Sequence, residues 1–383
     1  MRTEPEPGEV SIRWSRWLEI DLAALRANLR ALKALLPEET AVLAVIKSEA
    51  YGHGLLEVAR VLSQEGVYGF GLSEPEEALR LRRAGLALPL FLLSGFEPDW
   101  LPEILRLRII PALASLHMIE AAAEFSRRKG IALEVHLKMD TGMHRLGLTP
   151  EELPAALNLL RENPQLRVSG LMTHLACAEK PEDPLTREQL RLFHQLKNAL
   201  SREFPSLRFF HAANSAGIIF LRGAGGNLVR PGISLYGGYP SFRARARVKL
   251  RPVMTLKARI LEVKNIRAGE AVGYGPLYRA REPRRIAIVP VGYDDGYPRG
   301  LSNRGFAWLR GRRVPVVGAV SMRSLTLDVT EVEGEVKPGE EVILLGGAEE
   351  RVPVDELAEL AGTISYEIFC ALGRRLVRIY RDV

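Results

Sequence analysis

Residues 41–54 read AVLAVIKSEAYGHG, and this stretch decides the fold. The run AVLAVI is short, apolar and rich in Val, the composition of a strand buried on both faces of a parallel sheet. It stops at Lys47. A small polar turn and YGHG (51–54) follow, and LLEVARVL (55–62) then spaces its apolar residues as a helix does. The order is strand, loop, helix, and α/β folds gather their chemistry at the C-terminal mouths of such strands. A lysine at that mouth is a candidate base or imine-forming nucleophile, because a desolvated ammonium shifts its pKa readily. The strand alone does not separate this reading from a lysine that simply reaches out to water.

Outward from that stretch the pattern repeats. On the N-terminal side lie a short apolar run, 17–21, and an amphipathic helix over 22–36. On the C-terminal side strand-like runs recur near 68–72, 89–93, 109–113, 132–138, 167–173, 207–212 and 227–230, most of them separated by helical stretches. This count and span predict an α/β fold, an eight-stranded β/α (TIM-like) barrel. An open doubly wound sheet would show fewer strands and a glycine-rich first turn, which the sequence lacks. After about residue 241 helices give way to Val- and Ile-rich runs between Gly and Pro turns, interrupted by one short helix, 354–362. That half predicts a mostly antiparallel β domain closed by a strand over 374–380. The basic segment 243–251 (RARARVKLR) marks the boundary. The expected organisation is a flexible tail over 1–10, a barrel over 11–245 and a β domain over 246–383.

Composition narrows the function. The chain has 383 residues, 47% hydrophobic and 26% charged, with a net charge of +7. The basic residues are spread out and form no aromatic-interleaved stripe, so no nucleic-acid partner is expected, and the excess suits an anionic small ligand. No apolar run approaches the roughly 18 residues of a membrane span, and the first residues do not read as a signal peptide, so a cytoplasmic protein without a membrane partner is expected. Cys177 and Cys370 make neither a disulfide framework nor a zinc pattern, and no metal is expected.

The predicted strand ends supply one convergent set. The first gives Lys47 and Tyr51, the fifth Lys138 and then Arg145, the sixth His174, the seventh Asn214 and Ser215, and the eighth Arg230, Gly232 and Ile233. Barrels often bind phosphate with the loops after strands seven and eight. The Ser215 hydroxyl and the Gly232 and Ile233 N–H groups suit that task.

The segments AVIKSEAYGHG (44–54), VHLKMDTGMHRLG (135–147), THLA (173–176), HAANSAG (211–217), VRPGISLYG (229–237), VGYGPLY (272–278), VGYDDGYPRGLSN (291–303), GAVSM (318–322) and SYEI (365–368) resemble those of the alanine racemases, in the same order. The resemblance implies a pyridoxal 5′-phosphate (PLP) enzyme that interconverts L- and D-alanine, an isomerase supplying D-alanine for peptidoglycan. It implies that Lys47 holds PLP covalently and that Tyr51, Ser215, Gly232, Ile233 and Tyr366 contact its phosphate. Arg230, buttressed by His174, would face the pyridine nitrogen. Lys47 and Tyr274 would be the two catalytic bases, Tyr274 coming from the partner of a homodimer with composite sites. Arg145 and the Met322 N–H would bind the substrate carboxylate, and Lys138, possible site of a carbamate, would support Arg145.

Some positions depart from the family pattern: Ser48 and Glu49 after the lysine, His144, Asp294, and SMRS (321–324), in which Arg323 replaces an acid. The last change is expected to alter the electrostatics of substrate entry. The readings weighed against an alanine racemase are a broader-specificity racemase, a fold-related PLP decarboxylase and a non-enzymatic PLP-binding barrel. The decarboxylase would place an acid where Arg230 stands, and the binding protein would lack the β domain.

Overall fold

The computed structural model describes residues 14–223 and 225–382, which contacts divide into two units. The first holds residues 21–253 with Asp382, and the second joins the residues up to Ile20 to Met254–Arg381. The tail expected over 1–10 lies outside the described residues.

Strand β1 (Arg16–Asp21) opens the described chain, and its last residue caps α1 (Leu22–Lys33), Asp21 accepting the Ala24 N–H at 2.7 Å. Eight parallel strands follow: β2 (Ala41–Val45), β3 (Gly69–Leu72), β4 (Leu90–Leu92), β5 (Ile109–Leu113), β6 (Leu133–Lys138), β7 (Leu166–Met172), β8 (Phe209–His211) and β9 (Leu228–Val229). They pair in the order β8-β7-β6-β5-β4-β3-β2-β9, and a bridge between Asn214 and Arg230 brings the two ends together. Helices α2 (Leu55–Gln64), α3 (Pro75–Arg83), α4 (Leu101–Arg106), α5 (Leu116–Lys129), α6 (Leu153–Glu162) and α7 (Pro184–Glu203) link the strands, and the short α8 (Ser215–Phe220) follows β8. Every residue of β3 and β4 is buried, as a parallel strand covered on both faces requires. Leu43, Phe91 and Leu228, from three different strands, pack together inside the barrel.

The second unit is antiparallel. Strands β10 (Met254–Arg259), β15 (Phe306–Leu309), β16 (Arg312–Pro315), β18 (Glu341–Leu345) and β19 (Arg378–Arg381) join β1 in a six-stranded sheet, order β16-β15-β18-β10-β1-β19. Strands β11 (Glu262–Ile266), β14 (Arg284–Val289) and β17 (Leu325–Asp328) form a second sheet, and β12 (Ala271–Val272) pairs with β13 (Tyr278–Arg279). Residues of β10 alternate between buried and half-buried, the period-two signature of a sheet covered on one face.

This is the barrel-plus-β-domain fold that the sequence indicates, with two differences of detail. The sequence reading counts 11–20 with the barrel, whereas β1 pairs with β10, Leu18 opposite Leu256 and Ile20 opposite Met254. The division between units falls after Val253. A second helix, α10 (Ser365–Leu372), follows the expected one, α9 (Val354–Ala361). No helix among the described residues is long and apolar enough to cross a membrane.

Candidate active site

Lys47 follows the last buried residue of the β2 segment, Ile46, and is itself half-buried. The chain then turns in an unusual way. Ser48, Glu49, Ala50 and Tyr51 all have left-handed backbone, with φ of 54°, 57°, 53° and 54°. For side chains with a Cβ this costs roughly 1–2 kcal/mol each. Backbone bonds Ala50 N–H to Ile46 O (2.8 Å), Gly52 N–H to Ser48 O (3.0 Å) and Gly54 N–H to Glu49 O (2.8 Å) close the turn. The ring of Tyr51 comes to lie 5.0 Å from that of buried Tyr236, whose hydroxyl donates to Val45 O at 3.0 Å.

Arg230 is the buried hub of the site, 3% exposed. Its guanidinium donates to the carbonyls of His211 (2.5 Å), Thr173 (2.6 Å) and Ala212 (3.2 Å). It also meets His211 Nδ1 at 2.9 Å and His174 Nδ1 at 3.5 Å. Among the described residues no carboxylate forms an ion pair with it. A guanidinium only donates, so His211 Nδ1 accepts, and the proton of this ring sits on Nε2. That nitrogen is 2.8 Å from Nδ1 of His136 and donates to it, which leaves the His136 proton on Nε2. Burial, with the charge of Arg230, holds His136 and His174 down to about 3 and His211 well below its ordinary value, so all three are neutral imidazoles at neutral pH. Burial also lowers Arg230, to about 10, and it stays charged.

Lys138, at the end of β6, is buried and donates to Leu93 O at 2.8 Å. Burial and then the charges of Arg230, Arg145 and Lys47 lower it to about 8. The same cations act on His174, so Lys47, Lys138, Arg145, His174 and Arg230 share one field. The carboxylate of Asp140 is occupied by the N–H groups of Gly142, Met143 and His144, at 2.8, 2.9 and 3.1 Å. A face this rich in positive charge draws a phosphate and a carboxylate.

The phosphate reading has its own geometry. Buried Ser215 accepts the Gly232 N–H at 3.0 Å and the Ser234 N–H at 3.4 Å, which leaves its hydroxyl proton to donate. A Cβ on Gly232 would stand 2.6 Å from the Tyr51 hydroxyl, so only glycine admits that hydroxyl beside the loop. The hydroxyls of Ser215 and Tyr51 and the backbone N–H of Ile233, with the Gly232 N–H that here is given to Ser215, make a donor-rich cradle with no carboxylate among its described residues, and the residues present fit a phosphate monoester.

Tyr274, Met322 and Tyr366 lie in the second unit. Tyr274, 76% exposed, sits between β12 and β13, and Met322 is 56% exposed. Tyr366 is half-buried in α10. Of the departures from the family pattern, two prove to be partners: Asp294 is 2.5 Å from Arg375 and 3.5 Å from Arg323. The sequence reading assigned no role to His211 or His136. Both stand inside quoted motifs, HAANSAG and VHLKMD, so the signal was present, but nothing in the string says that they stack inward behind Arg230.

Fold and site together define a class, a β/α barrel with a cationic strand-end site, followed by an antiparallel β unit. Residues 20–240 match the family described as alanine racemase, N-terminal domain, and residues 253–380 its C-terminal domain. Among curated relatives, the alanine racemase of Thioalkalivibrio sulfidiphilus is 46% identical over 93% of this chain and 96% of its own length. That of Syntrophobacter fumaroxidans is 42% identical over 96% and 97%. Among solved structures, alanine racemase from D-cycloserine-producing Streptomyces lavendulae superposes with a TM-score of 0.90 at 34% identity, covering 97% of this chain and 98% of that one. Alanine racemase from Bartonella henselae with covalently bound pyridoxal phosphate gives 0.85 at 32%, covering 96% and 100%. The chain belongs to the alanine racemase family.

Proposed function

We propose that the chain interconverts L- and D-alanine, with PLP held at the barrel's strand ends and Lys47 and Tyr274 as the two proton carriers. Lys47 holds the cofactor covalently, while Tyr51, Ser215, Gly232, Ile233 and Tyr366 bind its phosphate. When bound, PLP supplies an electron sink conjugated to the substrate Cα. Arg145 orients the substrate carboxylate, the Met322 N–H contributes from the partner subunit, and Lys138 supports Arg145. Because burial lowers Lys138, its neutral amine is available to add CO2, release a proton and become an anionic carbamate facing that arginine.

The observation that carries the reading is the surroundings of Arg230. A buried guanidinium fixed by carbonyls and neutral imidazoles can only donate to a pyridine nitrogen, and so keeps it unprotonated. This moderates the electron sink and favours return of the proton to Cα. The acid expected of a decarboxylase is missing from this position among the described residues. Racemisation further requires a proton to leave one side of Cα and arrive on the other. Lys47, once released, serves one side, and the partner subunit's Tyr274 serves the other. A tyrosine base is helped by cations beside it, and in this reading the site's arginines supply them. In the cell this is a cytoplasmic homodimer making D-alanine for peptidoglycan.

Incubating the purified protein with L-alanine in D2O tests the reaction. The expected product is a mixture of both enantiomers carrying deuterium at Cα. Carbon dioxide and ethylamine, or unchanged L-alanine, would overturn it. Lys47→Ala should lose the visible absorbance of the bound cofactor. Tyr274→Phe should keep the absorbance and lose most L-alanine turnover, by a factor of about 100 or more, as for a positioned general base.

A further inference from the structure

The left-handed turn after Lys47 is held by groups outside the site described above. Glu77 of α3 is a buried acid that forms no ion pair among the described residues, although its charge reaches Arg80. Its Oε1 accepts the Ser48 N–H at 2.6 Å, and its Oε2 accepts the N–H groups of Ser73 at 3.0 Å and Glu74 at 3.3 Å. One carboxylate thus ties the residue after Lys47 to the start of α3. Arg80, three residues further along and so on the same helix face, forms an ion pair with Glu49. Glu49 Oε2 also accepts the Leu55 N–H at 3.5 Å, at the first residue of α2. Asn tolerates left-handed backbone because its short side chain bonds locally, whereas Glu has no such advantage. The ion pair with Arg80 supplies from α3 the support that Glu49 cannot give itself.

We propose that Glu77 and Arg80 are positioning residues for Lys47, with α3 acting as a latch on the strained turn so that the lysine stays where it retains PLP. This deepens the reading that Lys47 holds the cofactor, and it rests on that reading. The two halves of the latch differ in kind. The Glu49–Arg80 pair is part-exposed, 36% and 46%, and is therefore weak and screened by salt. The Glu77 half is buried and insensitive to salt.

The readout is PLP retention: the holoenzyme is diluted into a PLP scavenger, the decay of its visible absorbance is timed, and melting is recorded on the same samples. Arg80→Met should release PLP about two- to five-fold faster than wild type at low salt. The gap should close at about 0.5 M salt, where the wild-type pair is screened. Adding Glu49→Asn to Arg80→Met should restore slow release, a rescue that a general packing role for Arg80 would not give. Glu77→Gln must turn an amide N–H toward one of the backbone donors, and should speed release about tenfold or more. Wild-type release from Arg80→Met, or no rescue by Glu49→Asn, overturns the latch. Borohydride reduction and peptide mapping of the wild-type protein separate the two levels. Cofactor absent from Lys47 removes the underlying reading, whereas cofactor on Lys47 with unchanged release removes the latch alone.

Discussion

Arg230 dictates more of the site than its own contact list suggests, because a residue that cannot accept a hydrogen bond sets the tautomer of everything behind it. His211 must accept from Arg230 and donate to His136, and the His136 proton then points at Nε2, which finds no acceptor among the described residues. That ring instead lies among aromatic side chains, 5.0 Å from Phe91 and 6.0 Å from Phe209. Protonating either imidazole would put a second cation beside Arg230 in a buried place. In the unfolded chain these histidines titrate near 6.5, whereas burial in the folded protein holds His136 down to about 3 and His211 well below its ordinary value. Between those values the unfolded state binds more protons, so stability rises with pH. The contribution is complete above pH 6.5 and is lost as the pH falls toward 3. Between about pH 6 and 4 His136 should add a slope of roughly 1 kcal/mol per pH unit, and His211 a slope of the same sign. Urea midpoints across that window should show the steep limb, and His136→Phe should make it shallower. An unchanged slope in that variant would assign the acid sensitivity to other groups.

At the scale of elements, the site is made by the loops that leave β2, β6, β7, β8 and β9, and the β2 and β9 loops press on each other. Gly232 has φ of −124° and ψ of −93°, outside the common β and α regions, and the space beside it is tight as well. Gly232→Ala would push a methyl to 2.6 Å from the Tyr51 hydroxyl and spread the cradle. Titration of the PLP-free protein with PLP should show affinity reduced at least about tenfold, with melting lowered by several degrees, since overpacking of this kind costs about 1–3 kcal/mol. Equal affinity in the Ala variant would mean that the two loops already stand apart in solution. The barrel elements were legible because each strand is a short all-apolar run that ends in a polar residue, and Lys47, Lys138, His174 and Arg230 are those endings or lie just beyond them. The turn after Lys47 was not legible. Left-handed backbone is normally announced by Gly or Asn, and here it falls on Ser, Glu, Ala and Tyr, held by α3 from a distance that no local pattern encodes. The departures at Asp294 and Arg323 likewise read as separate oddities in the string. In the fold they face each other, so the change relocates charge instead of simply adding it.

At the scale of the molecule, sequence order misleads at one point. β1 precedes the barrel in the chain yet belongs to the sheet of the second unit, because antiparallel pairing with β10 is a contact across more than two hundred residues that no periodicity reports. The chain therefore passes from one unit to the other and back, and both units carry proposed site residues: Lys47 in the barrel, Tyr274 in the other unit. Tyr274 is 76% exposed and Met322 56%, so both are open to the second copy that the proposed function requires. Composite sites make a quantitative prediction. In a symmetric dimer, each site would take Lys47 from one chain and Tyr274 from its partner. Mixing Lys47→Ala with Tyr274→Phe, each inactive alone, would then place an intact lysine opposite an intact tyrosine at one of the two sites of every hybrid. Random exchange of equal amounts makes half of the dimers hybrids, so about a quarter of wild-type activity should return. The recovery should follow the rate of subunit exchange and vanish when the two variants are crosslinked as homodimers before mixing. If both residues of a site came from the same chain, every chain in the mixture would carry one lesion in its own site, and no activity would return at any ratio.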